Sequence, residues 1–254
     1  PLQGLSFGAP PILCATQQGN RQTIEVLLLA GADINARSDW WAGSFGVLDL
    51  AAPELTGFLI ERGAQVDAHA AARLGMFEKL RALISAGPER VHARGGDGQT
   101  PLHFASTIEI AQYLLQHGAD IDARDIDHES TPAQYMVRDR QEVARYLVSR
   151  GCQTDILMAA ALGDLDLARK HLDRDPSCIR RNVSERYFPK TNPHSGGTIY
   201  IWTLGQYWTA HRAAREFSHL EALDLLMERS PADLKLSSAC ELGDEAAVRS
   251  LIAS

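Results

Sequence analysis

One pattern recurs along this chain. The stretch Thr100-Pro101-Leu102-His103-Phe104-Ala105 leads into a run of helical character and then into Gly118-Ala119-Asp120-Ile121-Asp122-Ala123-Arg124. A second copy opens at Pro11-Ile12-Leu13-Cys14-Ala15, continues through Ile24-Glu25-Val26-Leu27-Leu28-Leu29 and ends at Gly31-Ala32-Asp33-Ile34-Asn35-Ala36. Proline suits the first turn of a helix, where its fixed φ fits and its missing N–H is no loss. Glycine suits the residue just past a helix, where the chain turns through the left-handed region. A unit of two short helices cannot bury its own apolar face, so each copy demands neighbours stacked against it. That requirement implies a stack of such units, which can exceed the usual limit of a single core because each contacts only its neighbours.

The neighbours are present in varying quality. Gly46 to Ala51 and Glu54 to Arg62 precede Gly63-Ala64; Ala68 to Ala72 and Leu80 to Ile84 precede Ala86-Gly87; Thr131-Pro132-Ala133 and Val143 to Leu147 precede Gly151. Further copies run from Ile156 to Leu172, from Thr209 to Met227, and from Leu234 to the end of the chain. Gly31, Gly63, Gly118 and Gly151 recur at close to a period of about 33 residues, and with the Thr-Pro-Leu-His turn this resembles the ankyrin repeat family. The resemblance implies an all-α solenoid of about eight helix–turn–helix units with β-turn fingers. It spans residues 1–173 and 209–254, the fourth unit being shortened at Ser106-Thr107. It also implies a protein that acts by presenting a concave groove. The chain lacks an initiator Met and stops inside a unit, as expected of a trimmed or processed product.

Residues 174–208 break the pattern. A connection this long inside a compact array is functional or disordered. Six of the seventeen aromatics fall here, which argues for order. Thr198-Ile199-Tyr200-Ile201-Trp202-Thr203 is β-branched and aromatic and reads as a strand, with Asn192 to Gly197 as its turn and Arg186-Tyr187-Phe188 as the partner strand of a hairpin. The insert carries five basic and two acidic residues, so it is locally +3 and leaves −10 for the rest of a chain of net charge −7. Its aromatics either form a satellite core under the loop or recognise an anionic or aromatic group.

The overall negative charge argues against general binding to nucleic acid or to an anionic membrane. No apolar run reaches the roughly 18–20 residues that span a bilayer. Cys14, Cys152, Cys178 and Cys240 are scattered without metal-type pairing, so reduced thiols and a cytoplasmic location are expected.

Several residues invite a functional reading. Trp40 and Trp41 follow the first finger and are either anchors for a partner or a cover for the apolar flank of the second unit. Asp120, Asp122, Asp125, Asp127, His128 and Glu129 lack the glycine and closing glutamate of a calcium loop, so a solvated acidic finger tip is expected there, available as a contact surface. Gln134, Tyr135 and Arg138 fall on the first helix of the fifth unit, the groove-facing helix in ankyrin proteins, although Arg138-Asp139-Arg140 also reads as a solvated turn. Arg186 and His211 are expected to flank a site walled by Trp202, with Tyr200 beside it. His103 is expected to brace the backbone, as the resemblance implies for this turn. Asn35 resembles the context that asparaginyl hydroxylases modify in ankyrin proteins, and it also reads as a brace of the finger turn.

No nucleophile triad, phosphate loop or paired-His zinc motif is present. The expected function is a non-catalytic scaffold, a monomer without cofactor or metal, that binds a protein or peptide in its groove. The alternative is a pocket between groove and insert for a small anionic or sugar-like ligand, with or without turnover.

Overall fold

A computed structural model of the chain describes residues 8–253. They form helices and turns, and among the described residues the only β pairing is an isolated bridge between Asn182 and Thr209. The chain divides between Pro132 and Ala133 into two compact units.

The first unit contains three α-helical pairs, α1 (Pro11–Gln17) with α2 (Arg21–Leu29), α3 (Val47–Leu50) with α4 (Pro53–Glu61), and α5 (Ala68–Arg73) with α6 (Phe77–Ala86). A fourth pair joins a 3-10 turn, Pro101–Phe104, to α7 (Ile108–Gln116). The shortening at Ser106-Thr107 thus costs the first helix of this pair its α-helical form. Side-chain caps set the helix starts: Asn20 accepts from the Thr23 N–H, Asp67 from Ala70 and Thr107 from Ile110. Each satisfies an N–H that the first turn leaves without a partner. Pro11, Pro53 and Pro101 occupy first-turn positions.

Burial follows the repeat. Ile12, Leu13 and Ile24 of the first pair meet Val47, Leu48, Leu55, Phe58 and Leu59 of the second in one continuous cluster. Leu80 and Ile84 of α6, then Ile110 and Leu114 of α7, are fully buried one and two repeats further on. The first two helix pairs thus share one core rather than each owning its own.

The second unit opens with α8 (Pro132–Met136) and α9 (Gln141–Ser149), followed by α10 (Ile156–Leu162) and α11 (Leu165–Arg174). After the insert come α12 (Ala210–Glu216), α13 (Leu220–Arg229), α14 (Ala232–Glu241) and α15 (Glu245–Ala253). All seven residues of α10 are buried, as a helix apolar on every side must be. The described residues therefore hold eight repeat-like pairs, four in each unit.

The hairpin expected in the insert does not form. Ile199 and Tyr200 turn instead into a single π-helical turn, Ile201–Gly205. The insert is a loop closed at its neck. Val183 donates to the Trp208 carbonyl at 3.0 Å and accepts from the Tyr207 N–H at 2.8 Å, beside the Asn182–Thr209 bridge. Val183, Ile199, Tyr200 and Leu204 are buried, so the strand-like composition of this segment serves burial within the loop rather than a β ladder.

Candidate functional site

In the first unit, three loops meet where backbone takes the place of side chains. A Cβ on Gly43 would lie 2.1 Å from the Gly95 carbonyl oxygen, one on Gly96 2.2 Å from the Phe45 ring, and one on Gly98 2.4 Å from Ile126. Only glycine permits this approach. Between them Asp97 adopts a left-handed φ of 55° and its carbonyl accepts the N–H groups of Ile126 and Asp127, at 2.8 and 3.1 Å. The Asp97 carboxylate accepts the Trp40 indole N–H at 3.0 Å. Trp40 is thereby half-buried and fixed, and Trp41 lies edge-on to it with ring centroids 6.1 Å apart. Trp41 remains 42% exposed and Ile126 41%.

The acidic finger tip is not a solvated loop, contrary to the expectation from its composition. Asp125 is buried and accepts from the backbone N–H groups of His128 (2.7 Å) and Ser130 (2.8 Å), so it organises the loop rather than facing water. Asp127 is buried as well. The His128 Nε2 sits 3.6 Å from an Asp127 oxygen and 3.9 Å from an Asp97 oxygen. Burial lifts the Asp97 carboxyl to about 6, Asp127 and Asp125 add to the rise, and His128 opposes it. Asp97, Asp127 and His128 present donor atoms within 4.8 Å of one another, a spacing of metal-ligand type. The imidazole thus sits between carboxylates carried by two loops.

Histidines brace neighbouring repeats. His103 accepts the Thr100 N–H at Nδ1, which leaves Nε2–H to donate to the Ser130 carbonyl at 3.2 Å. His69 does comparable work, its Nε2 lying 3.0 Å from the Ala93 carbonyl and 3.2 Å from that of Gln99. Asn35 likewise spans two fingers, donating to the Gly63 carbonyl and accepting from the Gln65 N–H.

In the second unit, the sequence-derived candidates separate into interior and surface. Tyr200 is wholly buried; its hydroxyl donates to Asp155 at 3.0 Å, and Phe188 packs edge-on against its ring. The other Asp155 oxygen caps α10 through the Met158 N–H. His211 is also buried, with Nε2 2.8 Å from the Ser230 hydroxyl, which itself donates to the Leu226 carbonyl. Gln134 is buried, and Tyr135 is half-buried. Arg138 lies in the turn just past α8 rather than on that helix, and it is half-buried rather than solvated. Its guanidinium donates to the carbonyls of Thr203 (2.7 Å) and Leu204 (3.1 Å) and lies over the rings of Trp208 and Phe217. It thus ties the π-helical turn to the turn that follows α8.

Arg186 is exposed over the Tyr187 ring, and Trp202 is 71% exposed. Buried His211 and exposed Trp202 do not present a shared wall to solvent. Most of the insert's basic charge is already paired, Arg180 with Asp233, Arg181 with Asp175 and Lys190 with Glu185. Sequence reasoning overlooked Asp97. The run Gly95-Gly96-Asp97-Gly98 is its signal, since clustered glycines mark close backbone approach.

Comparison with known proteins agrees with this architecture. The family description "Ankyrin repeats (3 copies)" matches residues 68–158, and "Ankyrin repeat" matches residues 7–39. The chain is 26% identical over 124 residues to the mouse protein named Ankyrin repeat and SAM domain-containing protein 6, covering 47% of this chain and 14% of that protein. Its rat counterpart is 25% identical over the same length. The Arabidopsis thaliana protein named Serine/threonine-protein kinase VIK is 36% identical over 75 residues, 28% of this chain and 17% of that protein. The chain thus matches only a small part of each relative, and the SAM and kinase names describe those proteins. Repeated helix pairs sharing cores, glycine-ended second helices, the Thr-Pro-Leu-His turn and these matches converge: the chain belongs to the ankyrin repeat family.

Proposed function

We propose that the protein is a non-catalytic recognition module that binds a protein or peptide partner through the finger loops and groove-facing helices of its repeats, with Trp41 as the main anchor in the first unit. The observation that carries this reading is the exposure of Trp41 and Ile126 on loops that glycine contacts and the Trp40–Asp97 bond hold in one arrangement. A pre-set aromatic side chain loses little freedom on binding, and tryptophan is among the residues that dominate interface energy. Trp202 and Arg186 offer a separate exposed contact in the second unit. The small-ligand alternative draws less support, because Tyr200 and His211, its proposed lining, are buried and hydrogen-bonded inside their own unit.

Photo-crosslinking tests the reading. A benzoylphenylalanine in place of Trp41 is expected to yield a discrete protein adduct in lysate, identifiable by mass. The same probe in place of exposed Leu29, on the second helix of its repeat, is expected to yield none. Equal labelling at both positions, or none at Trp41, would count against recognition at this surface.

A further inference from the structure

We propose that the first unit contains a carboxylate-binding pocket beside the tryptophan loop, which takes an aspartate or glutamate side chain of the bound partner. This rests on the recognition function proposed above and names part of what is recognised.

A cavity of about 340 Å³ opens among Arg37, Asp67, His69, Leu83, Arg90 and Arg94, with Ser44 and Gly95 on its rim. That volume lies at the small end of the range for ligand pockets, enough for one or two side chains. Gly95 is the residue whose carbonyl abuts Gly43 of the tryptophan loop, so the pocket adjoins the surface that presents Trp41.

The charges around the cavity do not balance. Arg37 is already matched, lying 3.4 Å from Asp49 and 3.7 Å from Asp67. Asp67 also faces the His69 ring at 3.8 Å. Arg90 and Arg94 differ. Arg90 donates to the Leu83 carbonyl, and Arg94 donates through one nitrogen to the carbonyls of Gly98 and Arg124. Backbone carbonyls orient these guanidiniums without neutralising them. Each guanidinium has five N–H donors, so both retain donors for an anion. With Arg37 matched, Arg90 and Arg94 leave the lining with a surplus of positive charge on a chain of net charge −7.

Two features select the occupant. Arginine's fixed fork matches a carboxylate, and an ion held by two such groups gains charge-assisted bonds. Ala68, Ala93 and Leu83 line the same cavity and suit the aliphatic stem of the acid. A polyanion is disfavoured, because the long-range field of the chain is negative. The fitting ligand is one acidic residue carried on a peptide whose apolar neighbour packs against Trp41.

Panning a random peptide library on the full chain tests this, followed by anisotropy titration of a labelled selected peptide. The expected result is an acidic residue at a fixed position in the binders. Binding should fall by about tenfold with Arg90→Glu, and the fall should be repeated by changing that peptide acid to its amide. Arg90→Gln serves as a second variant, and both are checked for an unchanged melting temperature. Rising salt should weaken the wild-type complex more than the Arg90→Gln complex. Binders without an acidic position that depend on Trp41 yet ignore Arg90→Glu would overturn the pocket and leave the recognition function standing. Binding by phosphorylated peptides alone would overturn it in the same way. Absence of any peptide binder would overturn the pocket as a peptide site, and the crosslinking at Trp41 separately decides the recognition function.

Discussion

At the scale of single residues, glycine does two different jobs in this chain. Gly31, Gly63, Gly118 and Gly151 have φ values of 88°, 96°, 92° and 90°, yet a Cβ on any of them would meet nothing within 4 Å. Space is not the constraint there; backbone conformation is. Replacing Gly118 by Ala should therefore cost about 1–2 kcal/mol, the strain of a left-handed L-residue, with no change in packing. Urea unfolding would measure it, and a loss above about 4 kcal/mol would indicate a hidden clash instead. Gly43, Gly96 and Gly98 work by contact, and side chains there would push the tryptophan loop off its neighbours. The first job is legible from spacing alone, because the glycines recur with the repeat. The second depends on which loops meet, and a local window of sequence does not carry that information.

Among the elements, the insert shows how composition can indicate burial while misassigning geometry. Thr198 to Thr203 has the residues of a strand, but no extended partner lies beside it, and the segment closes on itself as a helical turn. Its carbonyls then need donors, which Arg138 supplies to Thr203 and Leu204. Tyr200 reaches Asp155, the residue that caps α10, so the loop is fastened to the start of the most buried helix of its unit. Tyr200→Phe should remove one hydrogen bond from a buried carboxyl group and cost about 1–3 kcal/mol. Thermal unfolding together with hydrogen exchange at Met158 would show it. Unchanged stability and unchanged protection would mean that the bond contributes nothing to the anchoring. The repeats were readable because each is a local pattern of proline, apolar spacing and glycine. The joints between insert and repeats were not, because Arg138 and Tyr200 find their partners 65 and 45 residues away in the chain. For the same reason the sequence left both a satellite core and a recognition role open for Tyr200, whose hydroxyl is committed to the interior.

On the scale of the whole molecule, the two compact units carry titrating groups of opposite sign. Burial lowers the His211 imidazole to about 4. Its Nε2 side is engaged by Ser230, while Nδ1 is buried with no hydrogen-bond partner, so a second proton there would be enclosed without an acceptor. Between about pH 6.5 and 4 the unfolded chain binds that proton and the folded chain does not, so the His211 contribution to stability is lost as pH falls through this window. The shift corresponds to about 3 kcal/mol at the acid end. His171 and His219 are lowered too, chiefly by burial, and act in the same direction; Asp155, raised by burial, opposes them. In the first unit Asp97 behaves the other way. Its carboxyl is raised to about 6, so between about pH 4 and 6 the folded state holds the proton more tightly, and that contribution is lost as pH rises. Mild acid should accordingly loosen the second unit before the first. Hydrogen exchange at pH 6.5 and pH 4.5, corrected for intrinsic rates, should show protection falling in α12 and α13 while α5 and α6 hold. His211→Gln should flatten the response of the second unit, and Asp97→Asn should flatten that of the first. Parallel loss of protection in both units, unaltered by His211→Gln, would mean that acid acts through net charge on the whole chain rather than through these two groups.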